Sequence, residues 1–295
     1  MRRITRIVQS LLLVGSAWTA GAAAARTDAA AKPPAAGEIR LFQSPDRVLV
    51  MMQIDNRDLV PMVFDTGSDG ATIDASLARR FKMRTVGQVH EIDGTTGKER
   101  FLPQVAIRDV TLGGLKVPLI EAASVDYDRR DAMGIVSSEM FTDSLLYLDL
   151  GASRALLVPR ATAQTPAGPA TAYVESIPSV DLVLPDGSTI PAHFDTGYNG
   201  ALSLPVAMMD KVPLMAPAKI AGRFKSINTE GEFYGGQIKG TIKIGPVTLE
   251  NPKVAFLGTL ANIGLPIIRR VTLVIDPSAD RNWVLPPGAR PEVGK

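Results

Sequence analysis

Short apolar runs interrupted by turn residues dominate the sequence. Runs of this length, rich in β-branched residues, predict β-strands rather than helices. The predicted strands are residues 47–54, 59–64, 105–112, 145–150, 180–184, 189–194, 239–244 and 271–275. Turn signals separate two neighbouring pairs of strands, with Asn56-Arg57 before residue 59 and Asp186-Gly187 before residue 189.

Helical patterns are few and short. Asp74 is a suitable N-cap residue for a helix over 75–82, and Pro205 is a suitable first residue for a counterpart that ends near Lys211. The sequence therefore predicts an all-β fold with a few short helices.

One stretch of the chain occurs twice. Residues 61–71 read PMVFDTGSDGA and residues 191–201 read PAHFDTGYNGA, with seven of the eleven positions identical. In each copy a further glycine follows the aspartate by 69 residues, at Gly134 and at Gly264. A repeat of this length is a duplication, and it predicts two similar lobes that face each other.

Composition suggests where these lobes begin and end. Residues 26–38 and 159–172 are rich in alanine and proline, which is typical of a flexible leader and of a linker. We therefore expect an N-terminal lobe at 39–158, a C-terminal lobe at 173–287 and a tail at 288–295.

The first 25 residues have the pattern of a secretory signal peptide. Arg2, Arg3 and Arg6 form a basic start, residues 7–18 are apolar, and residues 19–25 are small. A retained membrane anchor is the less favoured alternative, because the apolar run is shorter than the roughly 20 residues that span a bilayer. We expect an exported protein, periplasmic or secreted, with no membrane attachment after signal cleavage.

Charge and cysteine content narrow the function classes. The chain has 32 basic and 30 acidic residues, and three of its arginines lie within residues 1–25. The near-neutral remainder does not favour nucleic-acid binding, which usually needs a strongly basic face. The chain has no cysteine and two histidines. We predict no disulfide, no metal site and no cofactor.

The aspartates of the two copies have the same local setting. Asp65 and Asp195 each follow an apolar strand and precede glycines. A buried carboxylate is costly unless it is hydrogen-bonded or paired. If a two-fold axis relates the lobes, the two carboxylates meet across it and share one proton over a wide pH range. Such a pair can deprotonate a water and polarise a carbonyl group, as peptide hydrolysis requires.

The duplicated Asp-Thr-Gly loops, each followed by a glycine among apolar residues, resemble those of the pepsin and retropepsin superfamily of aspartic peptidases. The resemblance covers about 39–287. Because the lobes are short, the chain resembles two retropepsin-like lobes fused in one chain, as in bacterial members. The resemblance implies a bilobal acid-protease fold of two small barrel-like lobes. It also implies aspartic endopeptidase activity on peptide or protein substrates, in a monomer.

The resemblance assigns roles to individual residues. Asp65 and Asp195 would be the catalytic pair. The residues that would support the pair are Thr66, Gly67, Ser68, Thr196 and Gly197. Thr66 and Thr196 would bond across the lobe interface, and Ser68 would hydrogen-bond the Asp65 carboxylate. Tyr198 departs from the smaller residue that is commoner there, so the surroundings of Asp195 are expected to differ from those of Asp65.

The superfamily covers its cleft with hairpin flaps, and two glycine-containing turns are candidates. The first-lobe flap residues would be Gly94, Thr95, Thr96 and Gly97, directly after Asp93. The second-lobe flap residues would be Glu230 and Gly231, directly after Asn228-Thr229. We expect both sets to contact substrate.

Two alternatives stay open. The difference between Ser68 and Tyr198 is also compatible with a non-catalytic module that binds peptides or cell-wall fragments in the same cleft. His193 lies two residues before Asp195 and therefore faces the same side of the strand. It either tunes the pKa values of the pair or has a structural role.

Overall fold

The computed structural model describes residues 6–9, 13–15, 37–54, 58–94, 96–127, 131–226 and 229–291. The fold is all-β and bilobal, as predicted. The predicted turn at Asn56-Arg57, most of residues 1–38 and the end of the predicted tail lie outside these residues.

The described part of the first half forms strands β1 to β12 and helix α1. The strands are β1 (Arg6–Gln9), β2 (Leu13–Gly15), β3 (Glu38–Ser44), β4 (Arg47–Ile54), β5 (Asp58–Asp65), β6 (Ala71–Asp74), β7 (Arg84–Asp93), β8 (Glu99–Leu112), β9 (Leu115–Val125), β10 (Gly134–Ser137), β11 (Ser144–Asp149) and β12 (Arg154–Pro159). Helix α1 (Ala75–Arg80) follows β6, and the Asp74 side chain caps it by accepting from the Ser76 amide at 2.8 Å. This confirms the predicted N-cap.

The described part of the second half forms strands β13 to β24 and helix α2. The strands are β13 (Thr171–Ala172), β14 (Ser179–Val183), β15 (Thr189–Phe194), β16 (Leu202–Leu204), β17 (Lys219–Lys225), β18 (Glu230–Gln237), β19 (Thr241–Ile244), β20 (Val247–Glu250), β21 (Lys253–Phe256), β22 (Ala261–Ile263), β23 (Thr272–Asp276) and β24 (Arg281–Leu285). Helix α2 (Leu265–Ile268) follows β22. The helix predicted up to Lys211 is wrong, because only a 3₁₀ turn, Val206–Met208, forms there.

The remaining short helices are 3₁₀ turns beside the strands. They are Ser138–Met140, Leu150–Ala152 and Pro277–Ala279. Among the described residues, none of the helices combines the length and the apolar character needed to cross a membrane.

The first lobe is a closed six-stranded barrel. Its strands follow the order β4, β5, β10, β6, β9 and β8, and β8 pairs back onto β4 through Met52 with Leu112 and Gln53 with Thr111. Closure removes the free edges of the sheet. The barrel interior holds the large apolar side chains of these strands, including Met52, Phe64 and Leu112.

The second lobe repeats this arrangement with two interruptions. Strands β8 and β9 of the first lobe correspond to β18–β19 and β20–β21, which are broken at Gly240 and Asn251. Gly240 has φ +116° and Asn251 has φ 45°. The two breaks bond to each other, because the Gly240 amide donates to Asn251 Oδ1 at 2.9 Å and the Asn251 amide donates to the Gly240 carbonyl at 2.8 Å.

A shared sheet joins the lobes. Its strand order is β3, β12, β11, β23, β24 and β13, so it contains strands from both halves. The central strands β11 and β23 are equivalent in the duplicated sequence and pair antiparallel, with Leu146 opposite Ile275 and Leu148 opposite Leu273. Antiparallel pairing of equivalent strands is what a two-fold relation between the lobes requires. All four side chains are buried in one apolar core.

Replacing Leu148 by alanine tests how strongly this shared sheet holds the lobes together. The side chain is fully buried at the lobe boundary, so Leu148→Ala is expected to lower the free energy of unfolding by about 2–5 kcal/mol. Leu59→Ala is the matched control, because Leu59 is 62% exposed and surface changes usually stay within about 0.5 kcal/mol. Urea unfolding of both variants measures the difference, and equal losses would contradict the assigned burial.

Candidate active site

The two Asp-Thr-Gly loops meet at the boundary between the lobes. Asp65 is the last residue of β5, and Asp195 directly follows β15. The Gly197 amide of the second loop donates to Asp65 Oδ1 at 3.2 Å, and the Gly67 amide donates to the same oxygen at 2.8 Å. The loops therefore bring residues that are far apart in sequence into direct contact.

Neither loop tolerates a side chain at its glycine. A Cβ atom on Gly67 would lie 2.6 Å from Asp195 Cγ, and a Cβ atom on Gly197 would lie 2.6 Å from Asp65 Oδ2. Each glycine therefore lies against the carboxylate of the opposite lobe. This close approach explains why both copies have glycine at this position.

Thr66 and Thr196 hold the loops together beneath the carboxylates. The Thr66 hydroxyl donates to the Phe194 carbonyl at 2.6 Å, and the Thr196 hydroxyl donates to the Phe64 carbonyl at 2.7 Å. Each hydroxyl also accepts from the amide of the opposite threonine, at 3.0 and 3.2 Å. The two bonds made by each threonine hydroxyl are equivalent to those made by the other, as a two-fold relation between the lobes requires. All of the donors and acceptors are buried.

Gly134 and Gly264 lie behind the two loops. Gly134 begins β10, which pairs in parallel with β5 and brings Ser137 opposite Asp65. A Cβ atom on Gly134 would lie 2.2 Å from the Thr72 carbonyl oxygen, and one on Gly264 would lie 2.0 Å from that of Gly200. Gly134 therefore allows β10 to pass directly against β6, and Gly264 allows its segment to pass against the loop that follows Asp195.

Burial makes the ionisation of the pair unequal. Asp65 and Asp195 are both 0% exposed. Burial raises the pKa of Asp65 to about 6, although the amides of Gly67 and Gly197 oppose this rise by stabilising its charge. Burial, and then the negative charge of Asp65, raise the pKa of Asp195 well above its ordinary value. Because the two carboxyls interact, the pair holds one charge and one proton over a wide pH range.

The remaining carboxylate oxygens are available for a proton and a ligand. Asp65 Oδ2 and both oxygens of Asp195 are buried and make no hydrogen bond of ordinary geometry to a described residue, although the nearby amides of Gly197 and Tyr198 lower the pKa of Asp195. Buried polar atoms normally have partners. A proton shared between the two carboxyls gives some of these three oxygens a hydrogen-bond partner, and a bound water or a substrate oxygen would partner the others.

Ser68 and Tyr198, which directly follow the two Asp-Thr-Gly motifs, make different contacts. The resemblance implies that Ser68 bonds the Asp65 carboxylate, but its hydroxyl donates to the Gly70 carbonyl at 2.9 Å. Tyr198 is buried and packs with Phe224 and Phe233 of the second-lobe flap. Ser68 therefore stabilises its own turn, whereas Tyr198 connects its loop to a flap.

Each lobe has a hairpin at the position predicted for its flap. Gly94, Thr96 and Gly97 lie in the turn between β7 and β8, and Thr95 lies outside the described residues. Glu230 and Gly231 begin β18, directly after the turn that follows β17. The structure thus places these predicted flap residues at or beside the tips of two equivalent hairpins.

The two flap tips bond to each other. The Ser226 hydroxyl donates to Asp93 Oδ2 at 2.7 Å, and both side chains are buried. Asp93 Oδ1 accepts from the amide of Thr96 at 2.9 Å, which braces the first-lobe turn. Sequence reasoning missed Ser226, because an isolated serine in a polar turn carries no motif.

His193 lies two residues before Asp195 on the buried end of β15. It is buried on β15, and burial lowers its pKa to about 4. It is therefore neutral at the pH values where one aspartate is ionised, and it adds no positive charge beside the pair. Among the described residues, no group of three or more histidine, aspartate or glutamate side chains could hold a metal ion.

The first Asp-Thr-Gly loop lies in a part of the chain that matches a known protein family. Residues 50–146 match the family model described as aspartyl protease. This stretch, about a third of the chain, is similar to the retropepsin-like aspartyl proteases. The match includes Asp65, Thr66 and Gly67 and ends within β11. No curated protein matched the chain. The second lobe resembles the first through the repeated motif and the equivalent strands described above.

Thr66→Val should weaken the contact between the lobes. The change keeps the shape of the side chain but leaves the Phe194 carbonyl and the Thr196 amide without a partner in a buried place. Each buried unsatisfied group costs about 1–3 kcal/mol, so unfolding free energy is expected to fall by about 2–4 kcal/mol.

Thr72→Val provides the matched control for this substitution. Thr72 is also fully buried, but its hydroxyl has no hydrogen-bond partner among the described residues. Its replacement is expected to be neutral or stabilising, because it removes a buried polar atom that gains nothing. Urea unfolding distinguishes the two variants. Equal stability of Thr66→Val and the unchanged protein would show that the interlobe bonds do not hold the loops.

Proposed function

We propose that the chain is an aspartic endopeptidase that hydrolyses peptide bonds with a water activated by Asp65 and Asp195. One observation carries the proposal: the two loops meet so that each glycine lies against the opposite carboxylate, in a buried site. The aspartyl protease family match in the first lobe supports the same class of enzyme.

The unequal surroundings of the aspartates suggest a role for each. Asp65 is the general base, because two amides stabilise its negative charge. Asp195 is the general acid, because burial beside a charged neighbour keeps its proton in place. A water between them gives a proton to Asp65 as its oxygen attacks the carbonyl carbon, and Asp195 gives its proton to the carbonyl oxygen.

Collapse of the tetrahedral intermediate restores both groups. Asp65 passes its proton to the leaving nitrogen, and Asp195 recovers a proton from a hydroxyl of the intermediate. The C–N bond breaks, and the pair returns to one charge and one proton. No covalent enzyme intermediate forms. The threonine bonds hold both carboxyls in position throughout, which is the pre-organisation that such a reaction needs.

The substrate is proposed to be an extended peptide. The outer edges of the flap strands β7 and β17 can each pair with a further strand, since β1 pairs with β7 and β2 pairs with β17. Backbone pairing of this kind gives affinity with little dependence on sequence. We propose a monomer, because one chain supplies both aspartates, and export to the periplasm or the medium, because residues 1–25 have the pattern of a signal peptide.

Asp65→Asn and Asp195→Asn are each expected to lower peptide cleavage by about 10²–10⁴-fold or more, because each removes one of the two proton-transfer groups. Cleavage of a mixed peptide library, followed by mass spectrometry, measures the effect. Asp181→Asn is the matched control, since Asp181 is exposed on β14. Circular dichroism checks that the fold persists. Full activity of either active-site variant would exclude the shared pair.

The pH dependence follows from the direction of the pKa shifts. Asp65 must be ionised to act as a base, and burial raises its pKa to about 6. Activity is therefore expected to rise with pH through about 6, and to fall at higher pH as Asp195 loses its proton. A profile of kcat/KM from pH 3 to 9 tests this expectation. Maximal activity near pH 3.5 with a steady decline toward 6 would contradict the assigned protonation states.

The rival function, a binding module without catalysis, makes a different prediction for the same variants. Such a module would bind library peptides without turnover, and neither asparagine substitution would alter the products. The difference between Ser68 and Tyr198 does not favour the rival, because Tyr198 packs against the second flap.

A further inference from the structure

Two buried polar side chains lie side by side in the second lobe. His193 of β15 is opposite Asn262 of β22 in the parallel pairing of these strands, and their exposed fractions are 1% and 5%. Both ring nitrogens of His193 and the Oδ1 atom of Asn262 make no hydrogen bond of ordinary geometry to a described residue, although the nearby Val174 backbone raises the pKa of His193. Buried polar atoms normally have partners, so this pair is suited to a polar ligand.

The pair faces the same side of the sheet as the second aspartate. Phe194 and Ile263, the next residues along the two strands, belong to the apolar core of the lobe. Since successive side chains on a strand alternate, His193 and Asn262 point to the opposite face. The strand pairing continues to Asp195, whose amide donates to the Ile263 carbonyl at 2.9 Å. Two residues of strand span about 7 Å, so the pair lies beside the Asp195 carboxyl.

A cavity of about 410 Å³ lies next to the pair. Its walls come from both lobes, and they include Asp93 and Gly97 of the first-lobe flap turn and Glu175, Ser176 and Leu260 of the second lobe. Glu175 directly follows the valine whose backbone acts on the histidine ring, and Leu260 precedes the asparagine by two residues. The cavity therefore offers room for a side chain between the flap turn and the polar pair.

The first lobe has apolar residues at the equivalent positions. The two aspartates of the duplication differ by 130 in residue number, as do the two later glycines, so Val63 and Ala132 are the equivalents of the polar pair. Both belong to a buried apolar cluster. The same strand arrangement thus forms without polar side chains at these positions, and the fold itself does not require them.

The hydrogen-bonding groups of the pair match an amide side chain. Burial lowers the pKa of His193 to about 4, so near neutral pH its ring has one N–H donor and one acceptor nitrogen. An amide has both an acceptor oxygen and an NH₂ donor, so it can bond the ring and the Asn262 side chain together. A carboxylate would find no cation here and would approach Glu175 and the catalytic pair, whereas an ammonium or guanidinium group has no acceptor for the ring N–H.

We propose that His193 and Asn262 form a polar subsite that selects substrates with a glutamine or asparagine side chain next to the scissile bond. The inference rests on the proposed function, because it takes the cleft beside Asp195 as the place where the peptide is cut. An apolar side chain in this subsite leaves the buried polar atoms without partners, and a site of this kind discriminates strongly against such an analogue.

Replacing the pair by the residues of the first lobe tests the proposal in the full chain. The test variant carries His193→Val and Asn262→Ala. Thr272→Val is the matched control, because it also removes a buried hydroxyl that has no partner among the described residues, but from β23 of the shared sheet. Circular dichroism checks that each variant folds. If the double variant does not fold, the two single variants take its place.

Two readouts use a mixed decapeptide library in which glutamine and methionine, which have similar shapes, are equally abundant at every position. The first is the set of cleavage products, identified by mass spectrometry. At one of the two positions that flank the cut, the unchanged and control proteins should favour glutamine over methionine by about tenfold or more, and the test variant should not. The second is retention of the library by the same three proteins carrying Asp65→Asn, which should enrich glutamine peptides with the same dependence on the pair.

The outcomes distinguish this proposal from the proposed function. Cleavage with the same glutamine-to-methionine ratio for the test variant and the unchanged protein would overturn the subsite and leave the peptidase in place. Enrichment of glutamine peptides that is lost only in the test variant, with no cleavage by any protein, would support the subsite and overturn the peptidase. Loss of the preference in Thr272→Val as well would overturn the assignment to this pair. Neither cleavage nor selective retention would overturn both proposals.

Discussion

The hydrogen bonds that Thr66 and Thr196 exchange across the lobe boundary determine where both aspartates lie. Each hydroxyl donates to a carbonyl of the opposite lobe and accepts from an amide of the opposite lobe. Because all of these groups are buried, separating the loops would leave several of them without partners, at about 1–3 kcal/mol each. The shared sheet of β11 and β23 brings the lobes together, and the threonines then position the loops within that contact.

Burying two carboxyls side by side is unfavourable for the fold, and the site reduces that cost by leaving one of them protonated. The amides of Gly67 and Gly197, one from each lobe, donate to a single oxygen of Asp65, whereas the amides that lower the pKa of Asp195 are those of Gly197 and Tyr198, both from its own loop. The two copies of the motif therefore have different surroundings.

The flap tips and the loops are joined by different kinds of contact. At the tips, the Ser226 hydroxyl donates to the Asp93 carboxylate at 2.7 Å. The loops are joined by four hydrogen bonds that Thr66 and Thr196 exchange across the lobe boundary.

Much of this molecule was determined by the sequence itself. The duplicated Asp-Thr-Gly loops, the all-β class and the positions of eight of the 24 strands in the described part of the chain follow from local pattern, because glycine requirements and strand periodicity act over a few residues. The predicted strands begin and end within two residues of those observed, apart from 105–112, which is the end of the longer β8. Only the tertiary structure decided that Ser68 bonds its own turn, that Tyr198 packs on a flap, and that Ser226 meets Asp93. Each of these depends on groups far apart in the chain, whose contacts arise only when the two lobes have folded against each other.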